Sequence, residues 1–406
     1  MITVLGLGYI GLPTALMLAA HGQRVIGSDH DPKVVSALNQ GKIPFEEKGI
    51  ADLFQQAQAN GIVFSTSIQK TETYIVAVPT PFLKVSKKLD PVYVIAAIRS
   101  ILEVCPKGAT IIIESTIAPG TIDKAIRPII LEKGLVIGQD IHLAHAPERI
   151  IPGNMVHELI HNARTIGTDR PNIGEAIKTI YASFCQGNIV LTSIKTAEMT
   201  KVVENTYRDI NIAFANELAK ICRTDDMDVY EVIKIANMHP RVNILQPGPG
   251  VGGHCISVDP WFLVGDYPGL ANIILAARKI NDSMPEFVLE RTKSIMEQSG
   301  LSDYKRVGVY GLTYKENVDD TRESPTLQMF ELMSSHLAPV LKSYDPYVKK
   351  DIVPNQVHSL EAFLSDLDLI IIMVGHDEIL KNMDKLKGKT ILDTRNVCFL
   401  EGTYKL

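Results

Sequence analysis

The chain has 406 residues, enough for two or three domains, each with its own core. Its formal net charge of −5 and pI of about 6.1 offer no basic surface for nucleic acid or an anionic membrane, and no apolar run reaches the roughly 20 residues of a membrane span. The five cysteines, Cys105, Cys185, Cys222, Cys255 and Cys398, are widely spaced with no CxxC, which argues against a zinc ribbon or a disulfide framework and for reduced thiols in the cytoplasm.

Strand-like residues begin at Met1, so no signal peptide is expected. Ile2–Leu5 is a short apolar run, followed by Gly6-Leu7-Gly8-Tyr9-Ile10-Gly11 and a helix-compatible stretch over 12–20. A second apolar run, 25–27, leads to Asp29. These are the strand, GxGxxG turn, helix, strand and acid of a Rossmann unit. Gly6 permits the tight turn, Gly8 lets a pyrophosphate approach, and Gly11 lets the helix pack on the strand; the pyrophosphate is then expected over the helix N-terminus. A glycine turn with no ligand would leave the acid after the second strand unexplained. Asp29 can accept from ribose hydroxyls and would repel a 2′-phosphate, favouring NAD over NADP.

Strands are predicted at 62–64, 74–78, 110–114 and Ile141–His145, with helical patterns at 91–104 and 121–131. That alternation predicts a parallel, doubly wound sheet. Val78-Pro79-Thr80-Pro81, Glu114-Ser115-Thr116 and Pro147-Glu148-Arg149 fall at strand ends. Each alone reads as a turn, but three at the edge where such sheets bind ligands suggest a site. His157 and His161 share a helical face near His142 and His145, yet no third ligand follows a metal-binding pattern, so no metal is expected.

Residues 196–223 contain neither Pro nor Gly and carry apolar positions at Met199, Val202, Val203, Ile210, Ala213, Phe214 and Leu218, predicting a long helix. Lys201, Asn205 and Arg208 fall on one face of it. That spacing fits a solvated polar stripe as well as a functional face. Next comes HPRVNILQPGPGVGGHCISVDPWF, 239–262, which sets Cys255 behind Gly248, Gly250, Gly252 and Gly253, with His254 adjacent and Asp259 four residues on. Glycines let the backbone approach a ligand closely, so this thiol can be presented to a substrate. Cys105, Cys185 and Cys222 read instead as core thiols. A second helical pattern, 271–298, is kinked or interrupted by Pro285.

Strands resume at 306–310, 340–344, 369–374 and 390–392, with a helix at 325–335. Strand, Gly311, helix, strand and Asp345 echo the first Rossmann unit without its full glycine loop, and Lys315, Arg322 and Arg395 at strand ends offer cations for phosphate. The expected fold is α/β: an N-terminal Rossmann domain, 1–195, a central helical domain with the long helix, 196–300, and a C-terminal Rossmann-like domain, 301–406.

The motifs VLGLGYIGLP, VPTP, EST, PER, EMTKVVENTYRD, GVGGHCISVD and DDTRESP make the chain similar, over essentially its whole length, to the UDP-glucose/GDP-mannose dehydrogenase family. Within it, HPRVNILQPGPGVGGHC, ERIIPGNMVHELI and NIAFANELAKIC resemble the branch that oxidises UDP-N-acetylmannosamine to its uronate for bacterial capsule and envelope polysaccharides. The resemblance implies a four-electron oxidation of a sugar C6 alcohol using two NAD. Cys255 adds to the aldehyde, the thiohemiacetal is oxidised to a thioester, and water releases the carboxylate. It implies Lys201 as acid/base or oxyanion stabiliser, Asn205 as holder of the oxyanion or an ordered water, Asp259 as the group that orients that water, Glu148 as base for thioester hydrolysis and Thr116 as a water- and cofactor-positioning hydroxyl. Cofactor positions are Gly6, Gly8, Tyr9, Ile10, Gly11, Asp29, Thr80, Thr116 and Arg322. Substrate positions are Arg149, Ile150, Lys201, Asn205, Arg208, His239, Arg241, Gly252, Tyr314, Lys315 and Arg395.

In relatives the arginine matching Arg241 crosses into the neighbouring subunit's site, which implies a homodimer. The chain departs from the family at Tyr314-Lys315, often Phe-Lys, and in the spacing of the basic residue after the ribose acid, Lys33. UDP-N-acetylglucosamine or UDP-glucose oxidation are the alternatives in the same class. From another class comes a silent sugar-nucleotide sensor, which the joint presence of Cys255, Lys201, Asn205 and Asp259 opposes. A two-electron 3-hydroxyacid dehydrogenase has no use for a cysteine in a glycine loop, nor for a further α/β domain.

Overall fold

The computed structural model describes residues 1–45, 47–83, 85–253, 255–333 and 340–406. They form two compact units, Met1–Glu204 and Asn205–Leu406. The long helix Ile194–Thr224, 31 residues without Pro or Gly, carries the chain from one to the other.

The first unit is built on eight strands: β1 Ile2–Leu5, β2 Val25–Ser28, β3 Val63–Ser65, β4 Thr73–Val76, β5 Ala109–Ile113, β6 Ile141–His145, β7 Arg164–Thr168 and β8 Ile189–Thr192. Their order across the sheet is β3-β2-β1-β4-β5-β6-β7-β8. Apolar side chains alternate between two cores because successive residues of a strand face opposite ways. Ile75 and Ile112 join Leu16, Met17 and Phe54 on one face, while Tyr74, Val76, Ile111 and Ile113 join Ile98 and Ile101 on the other. The chain leaves β1 toward β2 and β3, then returns to β4 on the opposite side. That reversal opens the crevice in which such sheets hold ligands.

The sheet differs from the fully parallel expectation at its far edge. β7 runs antiparallel to β6, with Ala144 opposite Thr168, and β8 is parallel to β7. Neither strand was expected from the sequence. RTIGT opens on a charge that is buried in the fold, and an unbroken apolar run is the signal that buried strands ordinarily give.

The second unit contains β9 Val307–Tyr310, β10 Lys342–Tyr344, β11 Gln356–Val357, β12 Leu369–Ile372, β13 Thr390–Asp393 and β14 Thr403–Lys405, all parallel, in the order β11-β10-β9-β12-β13-β14. The same reversal recurs between β9 and β12, so the Rossmann echo is real. The helical pattern of 271–298 is two helices, Asn272–Asp282 and Met284–Gln298. Pro285 lies in the first turn of the second, where its missing N–H removes no helical hydrogen bond. The expected helix 325–335 is seen as Pro325–Met333; Ser334 and Ser335 lie outside the described residues. Cys185, Cys222 and Cys398 are buried, whereas Cys105 is only half-buried. Among the described residues, no helix is long and apolar enough to cross a membrane.

A buried polar network ties the second unit's helices together. Arg278, 1% exposed, donates to Asp209 at 2.5 Å and to Asp282. Asn281 donates to the Asp209 carbonyl and carboxylate at 3.0 and 2.8 Å, and Asn216 donates to Asn281 at 2.9 Å. Burial pushes the Asp209 carboxyl up, and Arg278 opposes it. Removing one member of such a pair strands the other charge away from water. Arg278→Ala is therefore expected to cost about 3–5 kcal/mol of stability, measured by urea unfolding; a loss under about 1 kcal/mol would show that Asp209 finds another partner or a proton at little cost.

Candidate active site

The loop after β1 is shaped by backbone contact. Gly6 adopts φ +88°, and a Cβ on it would lie 2.5 Å from the Ala77 carbonyl oxygen. A Cβ on Gly11 would lie 1.9 Å from the Gly6 oxygen. Both positions therefore exclude a side chain through the protein's own packing. Gly8 differs: a Cβ there would meet nothing within 4 Å. The fold does not need that glycine, but a pyrophosphate approaching the loop would. The helix Gly11–Ala20 starts with no side-chain cap at Ile10, which leaves its N-terminal dipole open to an anion. Tyr9 stacks on Phe45 with centroids 4.5 Å apart.

Asp29 closes the same loop. It accepts the amide of Leu7 at 2.8 Å and that of Asp31 at 2.9 Å, leaving a side chain that is 12% exposed. Thr80 is buried beyond β4; Ser115 hydrogen-bonds the Val78 carbonyl at 2.7 Å, and Thr116 beside it is half-buried. Two close-packed glycines, a spare one, an open helix N-terminus and an acid after β2 fit a dinucleotide. Arg322, the remaining cofactor position, lies in the second unit, where its guanidinium grips Asp320 at 2.6–3.1 Å.

Beyond β6 the chain carries Glu148, Arg149 and Ile150. Glu148 is buried; it accepts from Arg164 at 2.5 Å and from the Arg149 amide at 2.7 Å. Arg149 donates to the Ala163 carbonyl and the Thr165 hydroxyl at 2.9 and 3.0 Å and pairs with Glu204 at 2.7 Å. Ile150 is buried. The loop that follows is fastened by Glu47, which accepts from Gly153 and Met155 at 2.7 and 3.0 Å, and by Glu158, which accepts from Ile151 at 2.8 Å. Lys201 is buried on the long helix.

In the second unit Asn205 is buried and donates to Asp259 at 2.6 Å. Asp259, also buried, opens the helix Asp259–Asp266, and its amide bonds the Cys255 carbonyl at 2.8 Å. Cys255 itself is exposed. His254 lies outside the described residues. The glycines before the cysteine fit against neighbours with no room to spare. A Cβ on Gly252 would lie 2.6 Å from the Glu323 carbonyl oxygen and 2.7 Å from Tyr314 Cβ. Gly253 donates to the Arg322 carbonyl at 2.9 Å and Gly248 to the Asn216 side chain at 2.9 Å.

Arg395 reaches over Gly248, 2.9 Å from where a Cβ would stand, and Lys315 accepts from Thr313 through its carbonyl at 2.9 Å. Arg208, His239 and Arg241 are exposed, and the Arg241 amide bonds the His239 ring at 3.3 Å. Of the polar face of the long helix, Lys201 and Asn205 are thus buried and Arg208 is wet. Sequence reasoning passed over Asn216 and Asn281, which hold the glycine loop, and Arg164. For Asn216 a signal existed: it follows Asn205 by three full helical turns, on the same face.

Comparison with known proteins bears on the family and the fold. Residues 1–185 match the NAD binding domain of the UDP-glucose/GDP-mannose dehydrogenase family, 195–283 its central domain and 308–399 its UDP binding domain. The chain belongs to that family. It is a nucleotide-sugar dehydrogenase, and NAD is its cofactor. It is 45% identical to the UDP-N-acetyl-D-mannosamine dehydrogenase of Methanocaldococcus jannaschii, covering 98% of this chain and 92% of that protein. Among solved structures, the UDP-N-acetyl-mannosamine dehydrogenase of Staphylococcus aureus matches with a TM-score of 0.89 at 43% identity, over 100% of this chain and 97% of the other. The Pyrococcus horikoshii enzyme described as a UDP-D-ManNAc dehydrogenase gives a TM-score of 0.92 at 37% identity, over 100% and 98%.

Two outcomes follow for the first unit. Gly11→Ala is expected to lose NAD binding and about 1–3 kcal/mol of stability, because the helix must back away from the turn. Asp29→Ala is expected to narrow the preference for NAD over NADP at least tenfold in kcat/KM. Equal use of both cofactors by the wild type would show that Asp29 does not face the ribose.

Proposed function

We propose that the protein oxidises the C6 alcohol of UDP-N-acetylmannosamine to UDP-N-acetylmannosaminuronate through a thioester on Cys255. The observation that carries this reading is the second-unit arrangement of an exposed thiol behind a close-packed glycine loop, one turn before a buried carboxylate already bonded to Asn205. The choice of sugar is supported by the mannosamine enzymes matched over nearly the whole chain.

When bound, NAD supplies the hydride acceptor. The protein's own residues do the rest. Lys201, drawn from water, is the group that takes or lends the C6 proton and steadies the oxyanion. The Cys255 sulfur bonds the aldehyde carbon, so the reactive aldehyde stays attached until the second oxidation. Asn205, whose amide also donates to Asp259, holds the oxyanion or water, and Asp259 orients that water. Glu148 removes a proton from the water that cleaves the thioester, with Thr116 orienting it. Thr80 and Arg322 complete the cofactor site, while Arg149, Ile150, Arg208, His239, Tyr314, Lys315 and Arg395 bind the UDP-sugar. Functionally the chain reads as 1–195 for NAD, 196–300 for catalysis and dimerisation, and 301–406 for UDP.

A homodimer is supported by an apolar row on the long helix. Tyr207, Phe214 and Ile221 recur every seven residues and are 64%, 47% and 51% exposed. In it Arg241 reaches the partner's substrate, a task suited to a guanidinium that stays charged and grips two oxygens. The enzyme works in the cytoplasm and feeds envelope polysaccharide synthesis.

The reaction predicts two NADH per uronate with no free aldehyde, read by an NADH assay across UDP-N-acetylmannosamine, UDP-N-acetylglucosamine and UDP-glucose. One NADH with released aldehyde would eliminate the thioester, and a faster rate with another sugar would reassign the substrate. Cys255→Ser should retain NAD binding and lose several orders of magnitude in turnover; near-normal turnover would make the thiol structural. Mixing Arg241→Ala with Cys255→Ser should restore some active sites, since one site of the heterodimer then has both wild-type groups. No recovery despite proven subunit exchange would place Arg241 in its own subunit's site.

A further inference from the structure

Arg164, at the start of β7, stands between two buried carboxylates that approach it unequally. Glu148 takes its Nη2 at 2.5 Å and receives the Arg149 amide on its other oxygen, so both oxygens of that carboxylate have strong donors. Glu114, at the end of β5, lies 3.3 Å from Nη1 and shares the same oxygen with the Tyr181 hydroxyl at 3.2 Å. Among the described residues its second oxygen accepts no hydrogen bond of normal geometry; the buried Thr14 hydroxyl that faces it favours the charged carboxylate, though less than Arg164 does. Side-chain exposures are 0% for Glu114, 4% for Glu148 and 5% for Arg164, so water screens none of them. The guanidinium plane is further pinned over the rings of Tyr181 and Phe184, at 4.3 and 5.6 Å.

One buried cation cannot neutralise two buried anions, and like charges sharing a site disfavour double ionisation. The proton must settle on the carboxylate with the poorer donors. We propose that Glu114 is a positioning residue for thioester hydrolysis: it holds the one proton of the pair, so that Arg164 is committed to Glu148 and keeps that carboxylate oriented as the base. This rests on the reading of Glu148 as hydrolytic base given above. In that step the water oxygen bonds to the acyl carbon and its proton passes to Glu148. The carbon–sulfur bond breaks with its electron pair going to the Cys255 sulfur.

The electrostatics point the same way. Burial, with a further push from Glu148 and against the pull of Arg164, raises the Glu114 carboxyl to about 7. The groups facing it are Arg164 from β7, Glu148 from the loop after β6, Tyr181 from the helix Pro171–Tyr181 and Thr14 from the helix Gly11–Ala20. Because the folded value lies above the unfolded one, the protonated Glu114 contributes stability that is complete below the ordinary glutamate range and is lost as pH rises through about 7. Above that pH Glu114 ionises and competes with Glu148 for the guanidinium.

The test uses the full chain with NAD and UDP-N-acetylmannosamine, reading the NADH burst and uronate release separately by rapid quench between about pH 5.5 and 8.5, and the melting temperature over the same range. Arg164→Gln should keep the burst of two NADH per site and slow uronate release at least tenfold, with Arg164→Lys recovering part of it. Glu114→Gln should erase a titration near neutrality from both the release rate and the melting temperature, gaining stability on the wild type as pH rises. Persistence of that titration in both readouts, or wild-type release by Arg164→Gln, overturns the proposal. If Arg164→Gln does not fold, Arg164→Lys carries that arm, and wild-type release by it at every pH counts against the proposal. Glu148→Gln is the separate control: if it releases uronate at the wild-type rate, the assignment of the base fails, whereas the melting curves still report where the proton sits.

Discussion

Both α/β units hang on the same contact, a carboxylate after the second strand accepting backbone amides from the loop after the first. Asp29 takes the amide of Leu7, and Asp345 takes those of Leu312 and Thr313 at 2.7 and 3.1 Å. In each case the acid fixes the turn at the carboxyl edge of the sheet, where the strand order reverses. The shape of that turn decides how closely a phosphate can come, because the backbone, not a side chain, meets it. The close contacts at Gly6 and Gly11 depend on the same turn staying in place. A shift of a few tenths of an ångström at Asp29 would propagate straight to the helix N-terminus.

Charge balance imposes the second constraint. The interior holds whole ionic groups, and in each the number of cations is small enough to force a choice of protonation state or geometry. Arg278 meets Asp209 and the partly exposed Asp282, so solvent can share the excess charge. Arg164 meets Glu114 and Glu148 with no exposed member, and there the excess must be relieved by a proton. The different chemistry of the two clusters follows from that single difference in exposure. The first reads as a brace for the helices beneath the glycine loop, whereas the second contains a group that can change its state near neutral pH.

The parts of the molecule that sequence displays are those whose cause is local. The dinucleotide turn, the long helix, the cysteine loop and the degenerate repeat are each legible within about 30 residues, because glycine placement and apolar spacing dictate them. What stayed hidden depends on distant partners. Arg164 finds Glu114 across 50 positions of sequence, and Asn216 finds Asn281 across 65. Without those partners, a charged residue opening RTIGT argues against a strand, so β7 is not legible from its own residues. The edge where β7 reverses was lost along with it, because nothing local distinguishes a parallel from an antiparallel neighbour. Arg149 was legible as a residue at a strand end, but not the partners that occupy its guanidinium.

The repeated acid also explains why two similar units do different work. Asp29 keeps a partly exposed carboxylate with two amide partners, so it has acceptor capacity left for a ribose. Asp345 is fully enclosed and has none to spare, since Leu312, Thr313, Tyr347 and His376 all donate to it. The histidine can do so because the amide of Asn317 donates to its Nδ1 at 2.9 Å, which puts the ring proton on Nε2, facing the carboxylate at 3.1 Å. The second unit thus spends its acid inward, on the loop that carries Tyr314 and Lys315. A nucleotide bound there must be recognised by other groups, among which the cations Lys315 and Arg395 suit a diphosphate better than a ribose diol. The same strand, turn and acid thus leave a carboxylate open to a ribose in the first unit, and in the second unit close it with a histidine.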